Sequence, residues 1–542
     1  MPGENTAVTA TVFSGGPILT MVTATPTADV VVTEGEHIVA VGAAALTSRY
    51  PDAHHVELGG RTLVPGFIDA HSHLCIAALH PRWADLADVR DADGLRAALA
   101  AQARAEPDAG WVRGVGWSDL DNGFTPTRAD LDALGLDRPV IAVHYSYHQC
   151  VVSSAGLDAL EISDNTPDPP GGSFGRTPSG ALNGVLYERA FSEAHARSMA
   201  PYRDPDRWAE HIVTASSALL AEGVTCVHDA ACPPSAERVY ADLARTGRLP
   251  VSVVMMPHAE ALLSPLDRAR LDGPTTGEGD ARLRVGAVKL FADGGVLPAI
   301  GGTISGHGIS LGLVFEDLDA QVAAVVDRGF RVAVHAIGNR GAEATLDAFA
   351  AAARTGPDDD HRFRLEHASL LDHVQVPRLR ELGVVAVVQP GFLHHMGGAV
   401  DGFVLDEATW MPFGDLAQAG VVLAGSSDTP CAFREPLLTS ALGVTRRTSK
   451  GTVLDASQSL PYEDWLRAYT AGAAHAGGQE DERGRLAVGL QADFAILDGP
   501  LNADDPPTVA ETWVAGTRVF QRSDTIALTR DRHSVPRGTC GP

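Results

Sequence analysis

The chain has 542 residues, of which 45% are hydrophobic and 20% are charged. This composition excludes an intrinsically disordered chain and favours a globular protein of more than one domain. The formal net charge of −26 argues against nucleic acid and against an anionic membrane as partners.

The N-terminus, MPGENTAVTATVFSGG, carries an acid at Glu4 and lacks the basic segment and apolar run of a secretory leader. We therefore expect no signal peptide, and no stretch of the chain is apolar enough to predict a membrane span. The six cysteines form no CxxC pair and are few for this length. They indicate a reducing compartment, so we expect the protein in the cytoplasm.

The two ends of the chain share strand character. Residues 30–42, VVVTEGEHIVAVG, predict two β-strands joined at a turn, and short strands return after residue 480 in ERGRLAVGLQADFAILDGP and ETWVAGTRVF. We expect residues 1–60 and 480–525 to form one small β-domain. The polar residues 526–542 predict a loose C-terminal tail.

The central region, residues 61–479, repeats one pattern: an apolar run that ends in polar residues, followed by an Ala/Leu-rich stretch. Such runs are typical of buried parallel strands. They occupy residues 61–74, 223–231, 250–257, 284–295, 330–341, 363–370, 384–392 and 421–430. The clearest helices, at 317–329 and 341–356, each end near a glycine. The repeated strand–helix unit predicts an α/β fold with a closed (β/α)8 barrel of the TIM type. An open doubly wound sheet is the alternative, although these strands lack its GxGxxG turn.

One connection is far longer than a crossover requires. It runs from residue 75 to about residue 205 and contains WVRGVGW, PVIAVHYSYHQCVVSS and a turn-rich segment, TPDPPGGSFGRTPSG. Because loops that follow barrel strands build active sites, we expect this insertion to lie over the mouth of the barrel and to shape the pocket.

Ionisable residues lie at or near the ends of the predicted strands. In a closed parallel barrel these ends meet at one mouth, and an HxH pair places two imidazoles on the same face of a strand. Four histidines and an aspartate suit zinc, with iron or manganese as alternatives. They are too many for one tetrahedral ion, so either some are catalytic or there are two metals. The candidate metal residues are His71, His73, Lys289, His335, His367 and Asp428.

Lys289 is unusual because it interrupts an apolar strand, AVKLF. A buried ammonium group is costly and is repelled by divalent cations. A lysine carbamylated by CO2 carries a carboxylate that can bridge two metals, which removes the conflict. We therefore hypothesise that Lys289 is carbamylated; an unmodified lysine paired with Asp293 is the alternative.

Several motifs resemble those of a known family. VPGFIDAHSHL resembles the opening motif of the amidohydrolase superfamily. KLFADGG, VHAIGNRG, LEHASL and GSSDTP, in that order, resemble its amidohydrolase-3 branch, which includes N-substituted formamide deformylases. The insertion and the closing GRLAVGLQADFAILD and TWVAGTRVF are also similar to that branch, so the resemblance covers residues 10–522. One departure is that Ser153 follows His148 where the branch often has Asn, so substrate contacts are not carried over there.

The resemblance implies a (β/α)8 barrel with a composite β-sandwich. It implies that His71, His73 and Asp428 hold one metal and that His335 and His367 hold the other, with Lys289 as the bridge. It also implies that Asp428 is catalytic: Asp428 accepts a proton from metal-activated water and passes it to the leaving nitrogen.

The leading hypothesis is therefore a metal-dependent amidohydrolase that cleaves a non-peptide C–N bond of a small-molecule substrate, with N-formyl amides the nearest named class. The alternatives are a deaminase or cyclic-amide ring-opening hydrolase, and a non-catalytic regulatory or binding protein. His148, His228 and His394 are weaker candidates for substrate contacts. The sequence does not identify the substrate or decide between a monomer and a homodimer.

Overall fold

The computed structural model of the protein describes residues 10–354 and 360–522. The predicted C-terminal tail, residues 526–542, lies outside the described residues, as do residues 1–9 and the end of the helix predicted at 341–356. Among the described helices, none combines the length and the apolar character that crossing a bilayer requires.

Two parallel sheets form the centre of an α/β fold. One has four strands in the order Leu283–Val285, Ser252–Pro257, Val224–Cys232 and Phe67–Ser72. The other has five strands in the order Val288–Phe291, Val332–Ala336, Arg364–His367, Val385–Val388 and Leu423–Gly425. Most of these strands are buried along their whole length, as their continuous apolar runs predict. Each of the eight predicted strand segments overlaps at least one of these strands.

The fourth predicted segment is divided between the two sheets at Gly286. The Gly286 N–H donates to the Met255 carbonyl at 2.6 Å, and a Cβ at position 286 would lie 2.5 Å from Val254 Cγ1. The chain therefore bends where only glycine fits, which gives the strands Leu283–Val285 and Val288–Phe291 in place of the single predicted strand.

Helices connect most of the parallel strands. They begin at residues typical of helix N-termini, such as Pro at the first turn of Pro205–Leu220, which Asp204 caps through the Arg207 N–H. The helix predicted at 317–329 is observed at Leu318–Val326, and the next begins at Asn339. The longer helices are Ala92–Ala105, Arg189–Met199, Pro205–Leu220, Pro234–Arg245, Leu318–Val326, Asn339–Ala353 and Pro436–Thr445.

Strands from both ends of the chain pair with each other. Thr62–Pro65 is antiparallel to Phe494–Asp498 within a six-stranded sheet, whose other strands are Ile18–Leu19, Thr27–Ala28, Thr508–Val514 and Thr517–Gln521. A second sheet contains the strands Thr11–Ser14, Val30–Glu34, His37–Gly42 and His54–Glu57. Phe13 packs on Phe494 and Trp513 between the two ends of the chain.

The long connection after the first parallel strand contains a sheet of its own. Its strands are, in spatial order, Gly172–Arg176, Leu182–Glu188, Gln149–Val152, Val140–His144, Val112–Trp117 and Ala84–Asp85. A separate hydrophobic cluster that includes Leu99, Trp117 and Val151 packs against it. A hairpin of Ile300–Ile304 and His307–Leu311 and a small pair, Leu370–Asp372 with Ala408–Trp410, complete the strands near the site.

Candidate metal centre

A single cavity of about 430 Å³ receives the residues predicted to bind metal. They reach it from the C-terminal ends of five parallel strands, which lie at the same edge of their sheets. His367 and Asp428 both adopt left-handed backbone conformations, with φ of 75° and 57°. Such conformations are costly for non-glycine residues and concentrate at functional sites. The six residues in the cavity wall are His71, His73, Lys289, His335, His367 and Asp428.

Three of these residues offer ligand atoms at one point. An Nε2 atom from each of His71 and His73 and one carboxylate oxygen of Asp428 lie within 4.8 Å of one another. Asp428 Oδ1 is 3.1 Å from His73 Nε2 and 3.4 Å from His71 Nε2. This oxygen is nevertheless buried without a well-formed hydrogen bond to any described residue.

The other nitrogens of these two rings are engaged elsewhere. His71 Nδ1 lies 2.5 Å from Glu366 Oε2, and His73 Nδ1 lies 2.8 Å from the Ala230 carbonyl oxygen. These two contacts orient the rings and leave both Nε2 atoms on the side of Asp428. Burial and the neighbouring Lys289 lower the pKa of His71 to about 4, so this imidazole is neutral at pH 7.

Asp428 is held as a carboxylate. Burial raises the pKa of Asp428, but contact with His73 and the proximity of His71 and His367 outweigh burial, so its pKa lies below its ordinary value. One carboxylate oxygen and two imidazole nitrogens therefore lie close together, which is a suitable ligand set for a divalent cation.

His335 and His367 form the adjacent part of the site. Their ring centroids are 4.5 Å apart, and His367 is 4.9 Å from His71. His367 Nδ1 donates to Gln389 Oε1 at 2.9 Å, which leaves its Nε2 with a lone pair. His335 Nε2 is buried without a hydrogen-bond partner among the described residues, 3.7 Å from Asp293 Oδ1.

Lys289 lies among the histidines. Its Nζ is 3.5 Å from His71 Nε2 and 5.0 Å from the centre of the Phe291 ring. Burial lowers the pKa of Lys289 to about 8, although Glu366 and Asp428 oppose the shift. An appreciable share of neutral amine is therefore present near neutral pH.

A buried ion pair, Arg364–Glu366, contacts the metal-centre residue His71. Arg364 Nε donates to Glu366 Oε1 at 2.7 Å, and the same carboxylate contacts His71 through its other oxygen. Burial raises the pKa of Glu366, but Arg364 and His71 hold it well below the ordinary value. Glu366 is thus a carboxylate that orients a metal-directed imidazole.

Of the three weaker candidates, only His148 lines the cavity. His228 is fully buried outside the cavity wall, and its Nδ1 accepts a hydrogen bond from Arg364 at 3.1 Å, which places it away from the predicted substrate contact. The reason is that its strand continues to Cys232, which leaves His228 below the rim. His394 is also outside the cavity wall. Successive residues of a short helix face different ways, and Phe392 and His395 face the cavity instead.

Sequence reasoning did not single out Glu188 or Gln389. Gln389 follows the apolar strand Val385–Val388, which is the same signal that identified the metal residues. Glu188 is the last residue of a strand in the insertion, and the sequence there does not indicate that His148 is its partner.

Comparison with known proteins gives matches over most of the chain. The family model described as "Amidohydrolase family" matches residues 55–520. The chain is 30% identical over 466 residues to "N-substituted formamide deformylase" of Arthrobacter pascens, a match that covers 83% of this chain and 85% of that protein. It is 29% identical over 552 residues to "Putative amidohydrolase YtcJ" of Bacillus subtilis, covering 94% and 99%.

The fold also matches a solved structure, an uncharacterized metal-dependent hydrolase from Pyrococcus horikoshii. The TM-score is 0.70 and the sequence identity 25%, and the match covers 91% of this chain and 98% of that one.

Proposed function

The chain belongs to the amidohydrolase family, and on that premise we propose that it is a metal-dependent hydrolase of a non-peptide C–N bond, with N-substituted formamides as the first substrates to test. The observation that carries the proposal is the convergence of His71, His73 and Asp428 in a cavity that also receives Lys289 and two further histidines. The formamide class comes from the printed name of the Arthrobacter relative.

The donor set fits a divalent metal. His71 and His73 turn their Nε2 atoms towards one buried Asp428 oxygen, which makes no well-formed hydrogen bond within the described residues. Nitrogen and carboxylate ligands suit zinc, with iron or manganese as alternatives. We assign His71, His73 and Asp428 to one ion and His335 and His367 to a second ion.

Lys289 is proposed to be carbamylated and to bridge the two ions. An ammonium group 3.5 Å from His71 Nε2 competes with any cation at that nitrogen, so the unmodified charged form is incompatible with a filled site. The neutral amine adds CO2 and loses a proton, which gives a carbamate with one negative charge. The lowered pKa of Lys289, about 8, supports this reaction because it supplies neutral amine.

A bound divalent ion supplies a Lewis acid, which lowers the pKa of water and polarises a carbonyl. Asp428 provides the proton transfer: its carboxylate takes a proton from the attacking water and delivers it to the leaving nitrogen. Glu366 and the Ala230 carbonyl hold the rings of His71 and His73 in place during this exchange.

The cavity suits a small organic substrate. One wall is apolar and includes Phe291, Ile300, Phe392, Phe403 and Trp410. The volume of about 430 Å³ lies in the range of small-molecule sites. The apolar wall is the natural place for the substituent of an amide whose carbonyl faces the metal centre.

We further propose that the two parallel sheets close into one eight-stranded barrel. Backbone hydrogen bonds support this, because Asp428 N donates to His71 O and His73 N donates to Thr429 O, both at 2.7 Å. These bonds join the first parallel strand to the last. We propose a β-domain from residues 1–60 and 480–525, and an insertion at about 75–205 that covers the mouth. The five described cysteines are free and buried, which supports the cytoplasm as the proposed location.

The test combines metal analysis with a substrate panel. Protein purified and reloaded with zinc, iron or manganese is offered N-substituted formamides, acylated amines and cyclic amides. Metal-dependent release of amine from a formamide is the expected result. Turnover of cyclic amides alone would move the assignment to a ring-opening hydrolase, and a protein that binds no transition metal would favour a binding role.

A further inference from the structure

A fifth imidazole extends the histidine row of the proposed metal centre. The ring centroid of His148 lies 5.0 Å from that of His335, a spacing similar to the 4.5 Å between His335 and His367. His148 belongs to the insertion and not to the parallel strands, and it lines the same cavity. Asp428 contacts His71 and His73 at the other end of this row. His148 and Asp428 therefore lie at opposite ends of this row of rings.

Glu188 holds the His148 ring. The two residues are cross-strand neighbours: Glu188 N donates to His148 O at 2.7 Å, and Glu188 Oε2 lies 2.6 Å from His148 Nδ1. Both are buried, with only 3% and 8% of their surfaces exposed. The backbone of Glu188 has φ 50° and ψ −124°, a costly conformation that directs the side chain towards the ring.

The loop after Phe291 completes the support of Glu188. The other carboxylate oxygen of Glu188, Oε1, accepts hydrogen bonds from the backbone N–H groups of Val296 and Leu297 at 3.0 and 2.9 Å. A Cβ at Gly294 would lie 2.3 Å from Glu188 Cδ, so only glycine lets the loop come this close. Two backbone donors thus occupy Oε1, and Oε2 is the oxygen that faces the His148 ring.

These contacts determine which nitrogen of His148 carries the proton. Nδ1 is approached by Glu188 Oε2 and also by the Gly295 N–H at 2.9 Å, and the ring cannot donate to one and accept from the other. Because a carboxylate oxygen accepts and Glu188 Oε2 is the nearer of the two, at 2.6 Å, we place the hydrogen on Nδ1, which donates it to Glu188. Nε2 is left as an acceptor, and none of the described residues donates a hydrogen bond to it.

We infer that His148 Nε2 accepts a hydrogen bond from the N–H of the substrate amide, so that the site selects N-monosubstituted amides over N,N-disubstituted ones. Glu188 is the positioning residue that makes this nitrogen an acceptor. The inference rests on the proposed function.

A matched pair of substrates tests the inference. N-phenethylformamide and N-methyl-N-phenethylformamide differ only in the N–H, and the zinc-loaded protein is expected to prefer the first by about tenfold in kcat/KM. His148→Phe keeps a planar ring without an acceptor. It should lower kcat/KM for the first substrate by about tenfold and leave the second unchanged, so the preference disappears.

Glu188→Gln is the more specific test because it keeps the shape of the side chain and reverses the direction of its hydrogen bond with His148 Nδ1. The two backbone N–H groups retain the amide oxygen of Gln, which turns its NH2 group towards His148 Nδ1. Nδ1 then accepts, Nε2 carries the hydrogen, and the ring opposes the substrate N–H. We expect the same loss of preference as in His148→Phe, with unchanged metal content and Tm. Glu480→Gln, which alters the contacts of Glu480 with His475 and Arg362 away from the cavity, is the matched control and should keep the preference.

The outcomes separate the two proposals. If both amides are hydrolysed and the variants retain the preference, or if both variants slow the two substrates equally, the role of His148 and Glu188 is refuted while the hydrolase assignment stands. If the metal-loaded protein hydrolyses neither amide, the formamide proposal fails and this inference fails with it. Collapse of the preference in both variants, and not in Glu480→Gln, supports the inference.

Discussion

Removal of the Glu366 carboxylate should lower both the stability of the protein and its affinity for metal, and the two effects can be measured separately. Glu366 and Arg364 are 0% and 1% exposed and are joined at 2.7 Å. In Glu366→Leu the guanidinium keeps only neutral partners, the Ala70 carbonyl at 2.6 Å and His228 Nδ1 at 3.1 Å. Breaking a buried ion pair in this way costs about 3–5 kcal/mol, which should appear as a lower urea midpoint of the metal-free protein.

The second effect concerns the metal. Without the carboxylate, His71 Nδ1 loses its acceptor at 2.5 Å, and the ring is free to rotate or to exchange tautomers. The loss of such a carboxylate–histidine contact typically weakens metal affinity by about 10- to 100-fold. Zinc affinity is measured by competition with a chromophoric chelator, on protein that the urea experiment shows to be folded.

The double variant Arg364→Leu/Glu366→Leu distinguishes the two effects. It removes both charges, so stability should recover most of the loss seen in Glu366→Leu, because apolar replacements of a buried pair are often neutral. Zinc affinity should remain as weak as in the single variant, since His71 still lacks its acceptor. A double variant that binds zinc as tightly as the unaltered protein would refute the role of Glu366 in orienting His71.

Three further predictions follow from the site. Asp428→Asn retains the size of the side chain but cannot carry a proton, so kcat should fall by about 10²–10⁴-fold while circular dichroism is unchanged. Only the neutral amine of Lys289 reacts with CO2, and the pKa of Lys289 is about 8. Carbamylation of metal-free protein in bicarbonate should therefore increase as pH rises through 8 and decrease below it. Native mass spectrometry would show the added mass of one CO2, and a constant yield across this range would contradict the assignment. His228→Gln should lower Tm and leave KM unchanged, since His228 does not line the cavity; a raised KM with unchanged Tm would contradict its placement.

The strands and their polar ends were accessible to sequence reasoning because parallel strands buried on both faces leave long apolar runs. His71, His335 and His367 follow such runs directly, and the structure brings them into one cavity. The sequence did not reveal how far each strand extends or which side chains face the cavity. The strand Val224–Cys232 continues past the polar pair His228–Asp229 through three further residues, so polar residues in the sequence do not mark where this strand ends.

The insertion was less predictable for a different reason. Its strands pair antiparallel, and the contact between His148 and Glu188 depends on the register that places Gln149 opposite Tyr187. Register of this kind is set by packing across the sheet rather than by either strand alone. The partner of His148, 40 positions away in the chain, therefore emerges only from the structure.

The central claim is that His71, His73 and Asp428 hold a divalent cation beside a second site at His335 and His367. Anomalous diffraction from crystals of zinc-loaded protein tests it directly. We expect two peaks. One should lie about 2.0–2.2 Å from a nitrogen of each of His71 and His73 and from an Asp428 oxygen, the other at the same distance from a nitrogen of each of His335 and His367, with carbamate density continuous with Lys289. Zinc bound only outside this cavity, or an unmodified Lys289 amine in a filled site, would contradict it.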